Sequence, residues 1–600
     1  MQNRHSHGHT DTIDLPTSIE GLPEARRPEV VELSNGDEFE LEIVPVKKQI
    51  GDATVRMLAY GDSVPGPTLR VPQNSTITVR VTNRGDMDAT VHWHGLRLEN
   101  RYDGTHETQA PIPVGETFTY QLTFPDPGLY WYHPHIREDY GQEMGLYGNI
   151  VVVPSEADYW PAAHREVVLT LDDVLVEEGR IAPFSASETT HVAMGRFGNV
   201  MLVAGDHELE LEAKRGELVR LHLTNTANTR VFNVTVPGAR MKLVGADSGH
   251  YEHEEFVDEV LLAPSERVVV DIHFAEPGEF ALEHRTPEKS YRLAAIRVAD
   301  DPVEPDLTRH FENLRTNADM QAERERIEAA LDASPDKTLS FVAEMDDVGG
   351  EGVETGVCAC PMDGDVVASW AGKCPKCGMK LLPAPAETAV PTAFVCPMHA
   401  EITATWAAAC PTCGMTLRST GTGQTADLGG AAGSAHHGDG DAHGHHHEDH
   451  SHDEHGGHAH GTAQGIEWED DMVEINRMTT PANTRWKLVD GDTGAENAQI
   501  DWTFRVGDQV KLRLVNEMDS DHPMPHPFHV HGAGRFLILA RDGAVEPNLV
   551  WKDTVLVRTG ETVDILLDVT NPGRWMAHCH IAEHHESGMM FSFNVLPESA

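Results

Sequence analysis

Thr76-Ile77-Thr78-Val79-Arg80-Val81-Thr82-Asn83 alternates polar and apolar side chains and ends on an asparagine. A period of two places the apolar set on one face of a half-buried strand. The pattern returns as Leu218-Val219-Arg220-Leu221-His222-Leu223-Thr224-Asn225 and as Gln509-Val510-Lys511-Leu512-Arg513-Leu514-Val515-Asn516. Further short apolar strands surround each copy: Gly148-Asn149-Ile150-Val151-Val152-Val153 near the first, Glu166–Leu171 and Arg267–Ile272 near the second, Thr562–Leu567 near the third. A long-period repeat built from such strands predicts an all-β chain of three β-sandwiches. We place these at 29–155, 160–300 and, in two pieces, 337–349 and 465–600. Residues 1–28 form a flexible, His-containing N-terminus. Residues 301–336 form a partly helical linker with a helix over Glu312–Ala333, and 350–463 is an insertion within the third sandwich.

The chain has 600 residues, too many for one core, and 40% of them are apolar. It lacks an apolar run long enough to span a bilayer, so no membrane insertion is expected. Acidic residues outnumber basic ones 96 to 46, for a net charge of −50. That excludes nucleic acid as a partner and favours cations. Met1–Leu15 is polar, without the apolar stretch of a secretory leader. The expected compartment is therefore cytoplasmic by default, or periplasmic or secreted if a leader is missing.

Histidines come in four clusters: His92-Trp93-His94, His133-Pro134-His135, His526-Pro527-Phe528-His529-Val530-His531, and His578-Cys579-His580 followed by His584 and Met589. On a strand, residues two apart share a face, so each His-x-His pair offers two imidazoles side by side. Cys579 points away from its two neighbours, so one strand can serve metal ions on both sides. Cys579, His584, Met589 and a distant histidine supply the thiolate, imidazoles and thioether of a trigonal blue-copper centre.

These clusters resemble the four copper-binding motifs of the multicopper oxidases, over residues 38–300 and 465–597. The resemblance implies three cupredoxin-like Greek-key sandwiches and four copper ions. Type 1 copper would take His526, Cys579, His584 and Met589, and type 2 copper His92 and His529. The type 3 pair would take His94, His133 and His580 on one ion and His135, His531 and His578 on the other. Asp103 stands where the family carries an aspartate that serves proton delivery. The acid that often follows the last type 1 histidine is here His585, with Glu586 next, and either is a candidate proton relay.

Seven of the eight cysteines lie in the insertion. Cys360-Pro361-Met362 precedes Cys374-Pro375-Lys376-Cys377-Gly378-Met379, and Cys396-Pro397-Met398-His399 precedes Cys410-Pro411-Thr412-Cys413-Gly414-Met415 with identical spacing. The repeat resembles a heavy-metal-binding module, here twice, at 357–383 and 394–418. Its candidate ligands are Cys360, Met362, Cys374, Cys377 and Met379 in one copy and Cys396, Met398, His399, Cys410, Cys413 and Met415 in the other. Asp363 stands where the motif has histidine. The methionines favour Cu(I), with zinc as the alternative. Trp370 and Trp406 are expected to form a small core in each module. The His-rich stretch 436–460, with His5, His7 and His9, suits metal gathering.

Together these features predict an enzyme: a copper-dependent oxidase that reduces dioxygen to water at the expense of Cu(I), with the insertion collecting the metal. The alternatives are a laccase-like oxidase of phenols or other small organic reductants, and a non-catalytic copper-sequestering protein. One chain carries every ligand, so a monomer is expected.

Overall fold

The structure is a computed structural model, and it describes residues 15–346, 357–384, 393–420 and 465–598. The N-terminal histidines, the His-rich stretch 436–460 and the end of the 337–349 piece lie outside the described residues. The repeated strands are three layered β-sandwiches. In the first, the strands Val30–Glu32, Thr68–Pro72, Gly148–Val153, Gly128–His133 and His92–His94 form one sheet, in that order, and Ala53–Tyr60, Glu38–Ile50, Thr76–Asn83 and Thr117–Thr123 form the other. The second pairs a six-stranded with a five-stranded sheet. The third does the same, and its five-stranded sheet runs Thr503–Arg505, Met590–Leu596, Gly573–Cys579, His526–Val530 and Thr554–Val557. The inward residues of Thr76–Asn83 are Ile77, Val79 and Val81, all buried in the first core.

The asparagine that ends each repeated strand has one job in all three sandwiches. The Asn83 side chain donates to the carbonyls of Met87 and Ile112, both at 2.8 Å. Asn225 donates to Arg230 and Leu262 at 2.8 and 2.9 Å, and Asn516 to Met524 and Val557 at 2.6 and 3.2 Å. Each amide supplies hydrogen bonds to buried carbonyls where the chain leaves the sheet, which would otherwise be costly to bury.

Lys337–Met345 pairs with Thr484–Asp490 on one side and Gln509–Asn516 on the other. The chain between 345 and 484 is thus a long excursion from one antiparallel ladder. The linker holds two helices, Thr308–Glu312 and Ala318–Leu331, rather than one over Glu312–Ala333. The stretch between them is extended because it hydrogen-bonds to the neighbouring strand Gly249–Val257: Glu254 N donates to Arg315 O at 3.0 Å and Asn317 N to Glu252 O at 2.8 Å. No helix among the described residues is long and apolar enough to cross a membrane.

The insertion is a separate compact unit. Its two modules build one six-stranded sheet in the order Leu382–Ala384, Val357–Ala359, Val367–Ala368, Thr403–Ala404, Phe394–Val395 and Arg418–Ser419. Trp370 and Trp406 meet at 5.7 Å between ring centroids. They belong to one shared core instead of two separate ones, because Ala368 and Ala404 pair directly across the module boundary.

Candidate metal centre

The strand register sets the histidine cluster. His92 lies opposite His133, and His529 opposite His578, each pair on adjacent antiparallel strands. Cys579 pairs with Phe528 one position on, so it faces the other side of the sheet. The ring donors of His94, His133 and His580 lie within 4.8 Å of one another, as do those of His135, His531 and His578, and those of His92, His94 and His529. All eight rings are buried.

One nitrogen on most rings is tied down. His92 Nδ1 lies 2.7 Å from Asp103 O, His529 Nδ1 2.9 Å from Asp553 O, His133 Nδ1 2.9 Å from Pro134 O and His578 Nδ1 2.9 Å from Cys579 O. His531 Nδ1 lies 2.9 Å from the Asp103 carboxylate, and His94 Nε2 3.0 Å from that of Asp553. The outer nitrogen therefore carries the proton and the inner one offers a lone pair. The inner nitrogens His92 Nε2, His94 Nδ1, His133 Nε2 and His529 Nε2, with both nitrogens of His135 and His580, are buried without a hydrogen-bond partner. His531 Nε2 and His578 Nε2 face each other at 3.1 Å. Burial, then repulsion between neighbouring rings, holds His92, His94, His135, His529, His531 and His578 well below the ordinary imidazole range. Neutral rings with converging lone pairs fit metal cations, and so these residues fit copper.

On the opposite face, His526 Nδ1 and His584 Nδ1 lie 3.4 and 3.8 Å from Cys579 Sγ. Backbone bonds from Cys579 N to Met589 O (3.2 Å) and from Met589 N to His584 O (3.0 Å) bring buried Met589 to the same place. Burial lowers His526 to about 3, with His522 adding to the effect, and pushes the Cys579 thiol up. A metal ion must therefore displace the thiol proton. Phe341 stacks on His526 at 5.2 Å, and Trp486 on His584 at 3.9 Å. These two rings come from Lys337–Met345 and Thr484–Asp490, the strands between which the insertion departs.

The multicopper oxidase family pattern matches this chain at residues 44–157, 151–299 and 469–599, and the heavy metal binding domain at 359–384. The chain belongs to the multicopper oxidase family. Members are oxidoreductases that use copper and dioxygen. This multicopper oxidase is similar to MmcO, a multicopper oxidase of Mycobacterium tuberculosis, at 31% identity over 40% of this chain and 52% of that one. The match thus spans about half the length of that curated relative. Two solved structures share the fold. A multicopper oxidase of Pseudomonas thermotolerans has a TM-score of 0.57 and 22% identity over 94% of this chain and 100% of that one. A Campylobacter jejuni multicopper oxidase described as a metallo-oxidase has a TM-score of 0.58 and 19% identity over 97% and 99%.

Around the histidines of this multicopper oxidase lie charged groups. Asp103 touches two sets of rings, through its carbonyl to His92 and its carboxylate to His531. Burial raises its carboxyl to about 6, partly offset by His92. His585 sits among the cluster, 4.7 Å from His135 and 4.5 Å from His578 between ring centroids. Its Nδ1 lies 2.9 Å from Glu138 Oε2, and Glu138 N donates to Glu586 Oε1 at 2.9 Å. Sequence reasoning missed Glu138, whose other oxygen is 3.1 Å from His133 Nδ1. It also missed Asp553, held by Arg267 Nη1 at 2.7 Å and Nη2 at 2.5 Å. Arg267 comes from the middle sandwich, which supplies none of the predicted copper ligands.

In the insertion, the donor atoms of Cys360, Asp363, Cys374 and Cys377 converge, as do those of Cys396, His399, Cys410 and Cys413. Met398 is 71% and Met415 39% exposed, while Met379 is buried.

Proposed function

We propose that this chain oxidises Cu(I) and passes the electrons to dioxygen. Four Cu(I) ions give one electron each, and with four protons one dioxygen becomes two waters. One observation carries the choice of donor: the type 1 ligands are buried, so a planar phenol has no ring edge to lie against. Trp486 covers His584 and is itself fixed by donation from Nε1 to Val192 O at 2.6 Å. Asn476, on the segment that follows the insertion, holds the backbone next to Val192: it accepts from Met194 N at 3.0 Å and donates to Gly195 O at 2.9 Å. Met478 lies on this segment and Met518 on the loop before His526, at 56% and 54% exposure. Exposed thioethers suit a soft cation as donor.

Bound copper supplies one-electron transfer at the Cys579 site and dioxygen reduction at the histidine cluster. The chain does the positioning. His578-Cys579-His580 joins the two sites through three consecutive residues. Asp103 and Asp553 hold His531 and His94 with the inner nitrogen turned into the cluster. His585, Glu138 and Glu586 form a polar path beside the rings that can hold and move protons.

The test is dioxygen uptake by the copper-loaded chain with a Cu(I) complex or with a bulky phenol as donor. Uptake with Cu(I) and at least about ten-fold less with the phenol is expected. Phenol turnover equal to or above that with Cu(I) overturns the proposal.

A further inference from the structure

The insertion's donor sets differ from those that its methionines suggest. In the second module, Cys396 Sγ lies 3.6 Å from Cys413 Sγ and 3.7 Å from His399 Nδ1, and Cys410 Sγ lies 3.6 Å from that nitrogen. In the first, Cys360 Sγ lies 3.5 Å from Cys377 Sγ and 3.8 Å from Asp363 Oδ2, and Cys374 Sγ lies 3.2 Å from that oxygen. A four-coordinate ion about 2.3 Å from sulfur and about 2.0–2.2 Å from nitrogen or oxygen makes a tetrahedron with edges of roughly 3.5–3.8 Å. Five of these six separations fall in that range, and the sixth, Cys374 to Asp363, is shorter.

The local backbone serves the sulfurs. Cys374 N donates to Met379 O at 2.7 Å and Cys410 N to Met415 O at 2.9 Å, closing equivalent knuckles. Gly378 and Gly414 turn them at φ 81° and 71°, a conformation costly for other residues. Asp363 N donates to Cys360 Sγ at 3.2 Å and Lys376 N to Cys374 Sγ at 3.4 Å. Two of the methionines thus contribute backbone to the turns, and Met398 and Met415 extend towards solvent.

We propose that the insertion holds two divalent, thiophilic ions of the zinc class at unlike sites: Cys396, His399, Cys410 and Cys413 for one, and Cys360, Asp363, Cys374 and Cys377 for the other. Asp363 is the residue that separates them. A carboxylate oxygen is a hard donor and does not favour Cu(I). Three thiolates with a carboxylate carry four negative charges, which a divalent ion offsets better than a monovalent one. Lys376 Nζ, 3.7 Å from Asp363 Oδ1, adds one more positive charge. The Cys₃His site lacks this bias. Excess Cu(I) therefore displaces the ion there first, while the Cys₃Asp site keeps its own. The assignment does not depend on which donor feeds the oxidase.

The test uses the full chain, loaded with copper at the oxidase sites, exposed to Zn(II), desalted and analysed for zinc. A Cys360→Ser/Cys396→Ser double variant subtracts zinc held elsewhere. Retained blue absorption shows that each variant keeps an intact oxidase core. We expect two zinc ions per chain above this background. His399→Ala and Asp363→Ala should each remove one, and Met362→Leu/Met398→Leu should remove none. Co(II) in place of zinc should give thiolate charge-transfer absorption that halves in each single variant. Zinc at background level, two ions retained in Asp363→Ala, or loss in the methionine variant overturns the proposal.

Discussion

The histidine cluster and the cysteine sites both gather metal donors, but they are held in place by different things. Each cluster histidine sits on or beside a strand of a large sandwich, and on six of the eight the outer nitrogen is fixed by a carbonyl or a carboxylate. Those supports belong to the first and third sandwiches, with Arg267 of the middle one behind Asp553, and they act through hydrogen bonds rather than through an ion. Among the described residues, the insertion's core cluster has nine buried members, and four of them are the cysteines Cys360, Cys374, Cys396 and Cys410. There the ligands are themselves much of the core. A region this small rarely folds on apolar burial alone, so binding free energy becomes folding free energy. One region is organised before metal arrives, and the other by its arrival.

Removing metal should therefore separate them completely. With the insertion's ions stripped by a chelator, residues 357–384 and 393–420 should lose protection against protease and hydrogen exchange, while the three sandwiches keep theirs. Equal persistence of both regions, followed by limited proteolysis and exchange mass spectrometry, would break the contrast.

The next largest effect probes the supports of the histidine cluster. Arg267 is fully buried between Asp553 and Asp247, with Nη1 3.6 Å from the latter. Through Asp553 it fixes His94. Arg267→Met leaves two buried carboxylates short of a partner, a change that typically costs about 3–5 kcal/mol. The expected outcome is a lower thermal midpoint and less copper at the histidine cluster, with the blue type 1 colour retained. Elemental analysis and calorimetry check it. Unchanged copper content would mean that His94 needs no support from the middle sandwich.

Much of this was legible in the sequence, and the reason is periodicity. Strand alternation, the asparagine endings and the His-x-His spacing are local patterns, so they identify sandwiches and donors without coordinates. The supporting residues carry no such pattern. Arg267 and Asp553 are 286 residues apart, and Asp103 and His531 are 428 apart. Glu138 looks like any acid at the start of a short helix. Trp486 and Phe341 read as ordinary inward strand residues, and only the fold puts them over His584 and His526. In the insertion the cysteine spacing was informative. The shared core was not, because it depends on Ala368 meeting Ala404 across two modules that look independent in sequence.

The smallest effect sharpens the comparison by its sign with pH. Metal held by thiolates and imidazole is released as those groups gain protons, so the insertion should weaken on acidification. Glu467, where the chain re-enters the third sandwich, behaves oppositely. It is buried beside Ile466 and Trp468, and its Oε2 has no hydrogen-bond partner. Burial, with a lesser push from Asp471, raises its carboxyl from 4.5 to about 8. The folded state therefore keeps a proton that the unfolded chain releases above its lower pKa. Stability is undiminished below about pH 4.5, falls as pH rises, and levels off above about pH 8. Glu467→Gln removes this dependence. Its thermal midpoint should match that of the parent near pH 5 and exceed it near pH 9. The difference should be at most a few kcal/mol, since a tenfold change in proton affinity is worth about 1.4 kcal/mol. A gap that stays constant from acid to alkali would mean that Glu467 is ionised in the folded protein. The core would then be indifferent to pH over this range, and the two regions would no longer respond to pH in opposite directions.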